Sequence, residues 1–244
     1  MENNNNIDEI LKEGYAFIEK GDLLSAQKTY LEGLKIHEDN LALLNNLAQC
    51  YMMKGDMKKS KEYTQKVIRI CERETSPEML MLKANCQMKI NNLTDAIETY
   101  EKILNDNPKS LPALFEISAA YSEKEDYEKS NRYLDLILNE DETNVVALIN
   151  KTGNLFKLKE YDDAIICLDK ALEISPKHEV AIRLKGEILK EMGNEKDLAE
   201  HVNRTLKIKP NSAYTLMLKA MEFANGNNDK KAMEFFNRAI SIDP

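Results

Sequence analysis

The sequence has no tryptophan, and its four cysteines, Cys50, Cys71, Cys86 and Cys167, never fall at a C-x-x-C spacing. Its three histidines, His37, His178 and His201, are equally scattered. A zinc site draws soft ligands from short spacings, so no metal or other cofactor is expected. The thiols are expected to act as small buried hydrophobes. Long apolar runs are missing as well. None approaches the roughly 18 residues that a membrane-crossing helix needs, and the start, "MENNNNIDEI", lacks the basic and apolar segments of a secretion signal. The expected location is the cytoplasm, without membrane insertion.

Positive charge is also in short supply. Lysine and arginine number 34 against 42 acids, a formal charge of −8. Residues 111–144 hold nine acids and three bases, so that stretch alone carries −6. Phosphate backbones are bound through clustered lysine and arginine, so nucleic acid is not an expected partner. Catalytic fingerprints are missing too: there is no G-x-x-x-x-G-K-[ST], no G-x-G-x-x-G and no H-E-x-x-H. The paired acids Asp162 and Asp163, or Glu140 and Asp141, fall at helix ends or turns, where water solvates them. No enzymatic role is expected.

What the sequence does have is a rhythm. In "YDDAIICLDKALEISP", residues 161–176, Ala164, Ile165, Leu168, Ala171 and Leu172 form one stripe of an α-helix. Pro176 stops it, having no amide hydrogen and disfavouring helical geometry in the residue before it. Pro108, Pro176, Pro210 and Pro244 are separated by multiples of 34, with Glu142 filling the vacancy. Twelve residues before these five stand Ala96, Ser130, Ala164, Leu198 and Ala232, and four after those stand Tyr100, Leu134, Leu168, Val202 and Phe236. Upstream, past a two-residue slip at Thr75 and Ser76, Ala26 precedes Tyr30 and Ser60 precedes Thr64. Seven repeats result: 7–40, 41–74, 77–110, 111–144, 145–178, 179–212 and 213–244, after a disordered lead-in over 1–6.

Each repeat has a second amphipathic segment before its alanine helix, as in "LALLNNLAQCYMMKG". Gly21, Gly55 and Gly193, with Asn91 and Asn227, mark the turns between segments. Two antiparallel helices cannot bury a core alone; stacked on neighbours they share one. The small residue sits where paired helices approach most closely, so Leu198 predicts looser packing in the sixth repeat. Lys83, Lys151, Lys185 and Lys219 occupy an apolar position, where their stems can cover core while the amines reach water.

"LNNLAQCY", "LFEISAAY" and the alanine–aromatic–proline series together resemble the tetratricopeptide repeat over residues 7–244. The resemblance implies an all-α fold, a right-handed α-solenoid of seven stacked helix-turn-helix units. It also implies a concave inner surface, lined by the first helix of each unit, where a peptide or protein segment lies. Positions expected there include Asn45, Asn46, Gln49, Met52, Met81, Asn85, Met88, Phe115, Asn150, Phe156 and Arg183. Methionine adapts to varied apolar ligands, and amides can both donate to and accept from a peptide backbone. A partner with apolar side chains is therefore expected. Met81 and Phe115 have core packing as their competing role. The co-chaperone carboxylate clamp of the family is not matched: around Asn46 stand Leu11, Tyr15, Glu78 and Leu82, and around Asn150 stand Phe115, Ala119, Val180 and Leu184.

Met233, Phe236, Ile240 and Ile242 lie in the last helix, with no polar capping helix after it. Three explanations stand open: a fragment of something longer, homo-oligomers paired through this end, or a covering partner. The expected function is a non-catalytic interaction scaffold. The alternatives are a self-assembling structural unit and the targeting arm of a longer enzyme.

Overall fold

The computed structural model describes residues 2–243, with side chains from 7 onward. The lead-in expected over 1–6 lies outside the fully described residues, as does Pro244. Among the described residues every regular element is a helix. They are α1 (Glu2–Glu19), α2 (Leu23–Ile36), α3 (Leu41–Met53), α4 (Met57–Cys71), α5 (Pro77–Lys89), α6 (Leu93–Asp106) and α7 (Leu111–Glu123). Then follow α8 (Tyr127–Glu140), α9 (Val145–Lys157), α10 (Tyr161–Ile174), α11 (Glu179–Glu191), α12 (Glu195–Ile208), α13 (Ala213–Asn225) and α14 (Asp229–Ile242). From the second repeat on, each first helix begins on the residue at which the periodicity opens that repeat.

Local chemistry sets these boundaries. Asp22, Asn40, Asp56, Ser76, Asp126, Asn144, Asn194, Ser212 and Asn228 each accept a hydrogen bond from the backbone N–H three residues on. That satisfies a donor the first helical turn would leave orphaned. Between the two helices of every repeat one residue turns left-handed: Gly21, Gly55, Asn91, Glu125, Lys159, Gly193 and Asn227, with φ between 55° and 83°. Each occupies the fifteenth position of its repeat.

The chain divides into two compact halves, Met1–Glu123 with α1 to α7 and Lys124–Pro244 with α8 to α14. In the first, α1 packs on α2, α3 on α4 and α5 on α6, while α2–α3, α4–α5 and α6–α7 contacts join successive repeats. In the second, α9–α10, α11–α12 and α13–α14 are the pairs, joined through α8–α9, α10–α11 and α12–α13. Each half is thus stacked as an α-solenoid.

The small residues sit where expected. Ala26, Ala96 and Ala164 are fully buried, and Ser130 and Ala232 nearly so, whereas Leu198 is half-buried. One turn further on, Tyr100, Leu134, Leu168 and Val202 are buried, whereas Phe236 is half-buried. The four lysines keep 13–23% of their side chains exposed and end on carboxylates. Lys151 reaches Asp135 at 2.5 Å, and Lys185 reaches Asp169. Both pairs tie a first helix to the last helix of the preceding repeat.

In the sixth repeat His201 is buried, with Nε2 2.9 Å from the Ile182 carbonyl oxygen, so the neutral ring donates there. Burial pushes the imidazole below its usual 6.5, against an upward pull from the Ile182 bond. Lys185 and Arg204 add to the fall and Asp169 opposes it. The unfolded chain therefore takes up a proton near 6.5 that the folded chain resists. The associated stability is present above that pH and drains away as pH falls through it toward the folded value. Thermal scans at about pH 7.5 and about pH 5.5 should show a lower midpoint in acid, and His201→Gln should shrink the difference. An unchanged difference in the variant would contradict this account.

Candidate functional site

In the first half, the candidate residues come from α3, α5 and α7. On α3, Asn45 and Asn46 are half-buried, while Gln49 and Met52 are exposed, Met52 by 41%. On α5, Met81, Asn85 and Met88 are half-buried, as is Phe115 on α7. Their spacing along each helix, three or four residues, sets them on one face. Lys89 Nζ donates to Asn45 Oδ1 at 3.0 Å, which ties the α3 and α5 members side by side. Lys89 has no place in the sequence-derived set, because its position in the repeat is not one expected to face inward.

The amides are not equivalent. Asn85 Oδ1 accepts from the Tyr100 hydroxyl at 2.5 Å. Tyr100 is buried, its phenol raised well above the usual range chiefly by that burial. Asn85 therefore anchors the second helix of its own repeat, which leaves its amide nitrogen and the second lone pair of Oδ1 to serve a ligand. Asn45 carries the Lys89 bond. Gln49 is the amide most open to solvent on this face. Beside the amides, Met52, Met81 and Met88 supply flexible apolar contact.

In the second half, Asn150 on α9 is exposed and Phe156 is half-buried, its ring 5.7 Å from that of Tyr161. Arg183 on α11 is exposed but bonded to Glu187 on its own helix at 3.0 Å. Met217 and Met221 on α13 are exposed by 38% and 39%. On α14, Met233, Ile240 and Ile242 are exposed by 58%, 59% and 44%, with Phe236 half-buried. Among the described residues no group of three or more acid, histidine or cysteine side chains is placed to hold a metal ion. No helix among them is long and apolar enough to cross a membrane.

With this geometry in place, the likeness to known proteins can be stated. Family models described as tetratricopeptide repeat match residues 78–110, 41–73, 154–178 and 213–244, together half of the chain. Among curated proteins none matches the sequence. Among solved structures, a tetratricopeptide repeat protein from Parabacteroides merdae is 19% identical, with a TM-score of 0.63 over 98% of this chain and 94% of its own. YrrB, described as having an unusual peptide-binding site, is 22% identical, with a TM-score of 0.52 over 74% of this chain and 92% of its own. MamA is 19% identical, with a TM-score of 0.56 over 66% of this chain and 94% of its own. At these identities the likeness concerns the fold.

Proposed function

The chain belongs to the tetratricopeptide repeat family, and on that premise we propose that it is a non-catalytic scaffold whose first-helix face captures a protein segment. The observation that carries this is the α3–α5 surface, where exposed Met52 and Gln49 stand beside half-buried Met81, Met88 and Asn46. An apolar ligand side chain would bury against the methionines. Its backbone would meet the amides, which sets its register. That YrrB is described as peptide-binding agrees with this use of the fold. A cytoplasmic setting suits the four buried, unpaired thiols, because a reducing compartment keeps cysteines free.

The test uses two exposed positions, so that the core is untouched. Met52→Glu combined with Gln49→Lys should leave the melting temperature unchanged. It should weaken binding of a captured apolar peptide by about tenfold or more. Peptides selected on the wild-type chain and titrated by fluorescence anisotropy would show this. Equal affinity for the two chains would refute the assignment of this face.

A further inference from the structure

In the first half, α2 and α4 border a cleft of about 940 Å³. Its floor is apolar: Leu31, Leu34, Tyr63 and Ile70 line it and are each half-buried. The α4 wall is basic, with Lys66 and Arg69 one turn apart and both exposed, although Lys66 also lies 3.6 Å from Glu62 on its own helix. The α2 wall is mixed: exposed Lys28 and Lys35 stand two turns apart with Glu32 between them, and Glu38 and Asp39 follow, Asp39 bonded to Arg73. This is local. The chain carries −8, yet α4 holds five bases, Lys58, Lys59, Lys61, Lys66 and Arg69, and a single acid, Glu62.

A second observation is independent of charge. Gln27, 6% exposed, lines the same cleft, and its side-chain Nε2 is buried with no hydrogen-bond partner. A buried amide donor without a partner costs on the order of 1–3 kcal/mol. An incoming acceptor would satisfy it once the side chain turned toward the cleft. Floor and α4 wall together describe the complement of a ligand with an apolar stripe and an acidic flank.

We propose that the cleft between α2 and α4 is a second docking site, which takes one acidic amphipathic helix of a partner protein. A helix fits because it would lie between two others, its apolar stripe on the leucine–tyrosine floor and its acids toward Lys66 and Arg69 on α4. A phosphate backbone has nothing to place on that floor. Glu32 and Glu38, which line the cleft on the α2 side, would repel a polyanion that covers both walls, whereas a helix can turn its acids to α4 alone. The cleft's lining shares no residue with the α3–α5 set, so the two can be tested separately.

The probe is a labelled amphipathic peptide with leucines at alternating spacings of three and four and glutamates along one flank. Its control replaces every glutamate with glutamine. Anisotropy titrations on the full chain should show binding of the glutamate peptide, weakened by salt and lost with the glutamine control. Lys66→Glu with Arg69→Glu should weaken it by about tenfold or more. Met52→Glu with Gln49→Lys should leave it unchanged. Because the four reversed or control positions are exposed, folding is retained in each variant. The proposal is overturned if the glutamate peptide does not bind, if the glutamine peptide binds equally, or if charge reversal has no effect. It is overturned as well if sedimentation shows a dimer that charge reversal dissolves, since the occupant is then a second copy. Tighter binding of an RNA duplex or a phosphatidylserine vesicle, abolished by the same reversal, would also overturn it.

Discussion

Leu168→Ala should lower the free energy of unfolding by about 2–5 kcal/mol, the range for emptying a buried leucine site. Leu168 is fully buried in α10 within a cluster that includes Leu148, Leu155, Cys167, Ala171 and Ile188. These neighbours come from α9, α10 and α11, so the void opens where three helices share side chains. Tight packing from several directions limits how far the site can collapse, and that puts the cost toward the upper part of the range. Urea unfolding followed by circular dichroism measures it. Ile166→Ala is the internal control: Ile166 lies two residues away but is 56% exposed, and its change should stay within about 0.5 kcal/mol. A loss below about 1 kcal/mol for Leu168→Ala would mean that the cluster repacks, contrary to the core described here.

One substitution made at two glycines should give opposite signs. A Cβ built on Gly14 in α1 would stand 2.3 Å from Cε1 and 2.4 Å from Cζ of Tyr30. Those ring atoms belong to a fully buried side chain, which cannot swing away. Gly14→Ala should therefore cost about 1–3 kcal/mol through overpacking. At Gly153 in α9 nothing lies within 4 Å of the added carbon. Gly153→Ala should stabilise by about 0.5–1 kcal/mol, because alanine loses less backbone freedom on entering a helix. Melting curves of the two variants decide it, and a stabilising Gly14→Ala would show that α1 and α2 are not held as close as described.

Much of this architecture is readable because its signals repeat. Prolines, caps and small residues recur in phase, so a weak local signal is reinforced at each repeat. The turns show where that reading stops. Gly21, Gly55, Asn91, Gly193 and Asn227 announce left-handed geometry by their residue type, but Glu125 and Lys159 adopt it with no such sign. There the two helices that flank the turn dictate the backbone and override local preference. The side chains were harder still. Nothing in composition says that Asn85 is bonded to Tyr100 across fifteen residues, or that Lys151 and Lys185 find acids sixteen residues earlier. Such partners depend on which faces the packed helices turn toward one another. The basic wall at Lys66 and Arg69 is hidden for another reason: a whole-chain charge of −8 averages over a helix of opposite sign.

The thiols turn the protein into its own gauge of local opening. Cys50, Cys71 and Cys86 report on the first half and Cys167 on the second, and all four are buried and unpaired. Burial raises each of them, Cys86 to about 11, so the reactive thiolate is scarce while the helices stay closed. An alkylating reagent thus waits for a fluctuation that exposes sulfur to water. Its rate at each position, read by mass spectrometry, would chart which helix pair breathes first, without any label engineered into the chain.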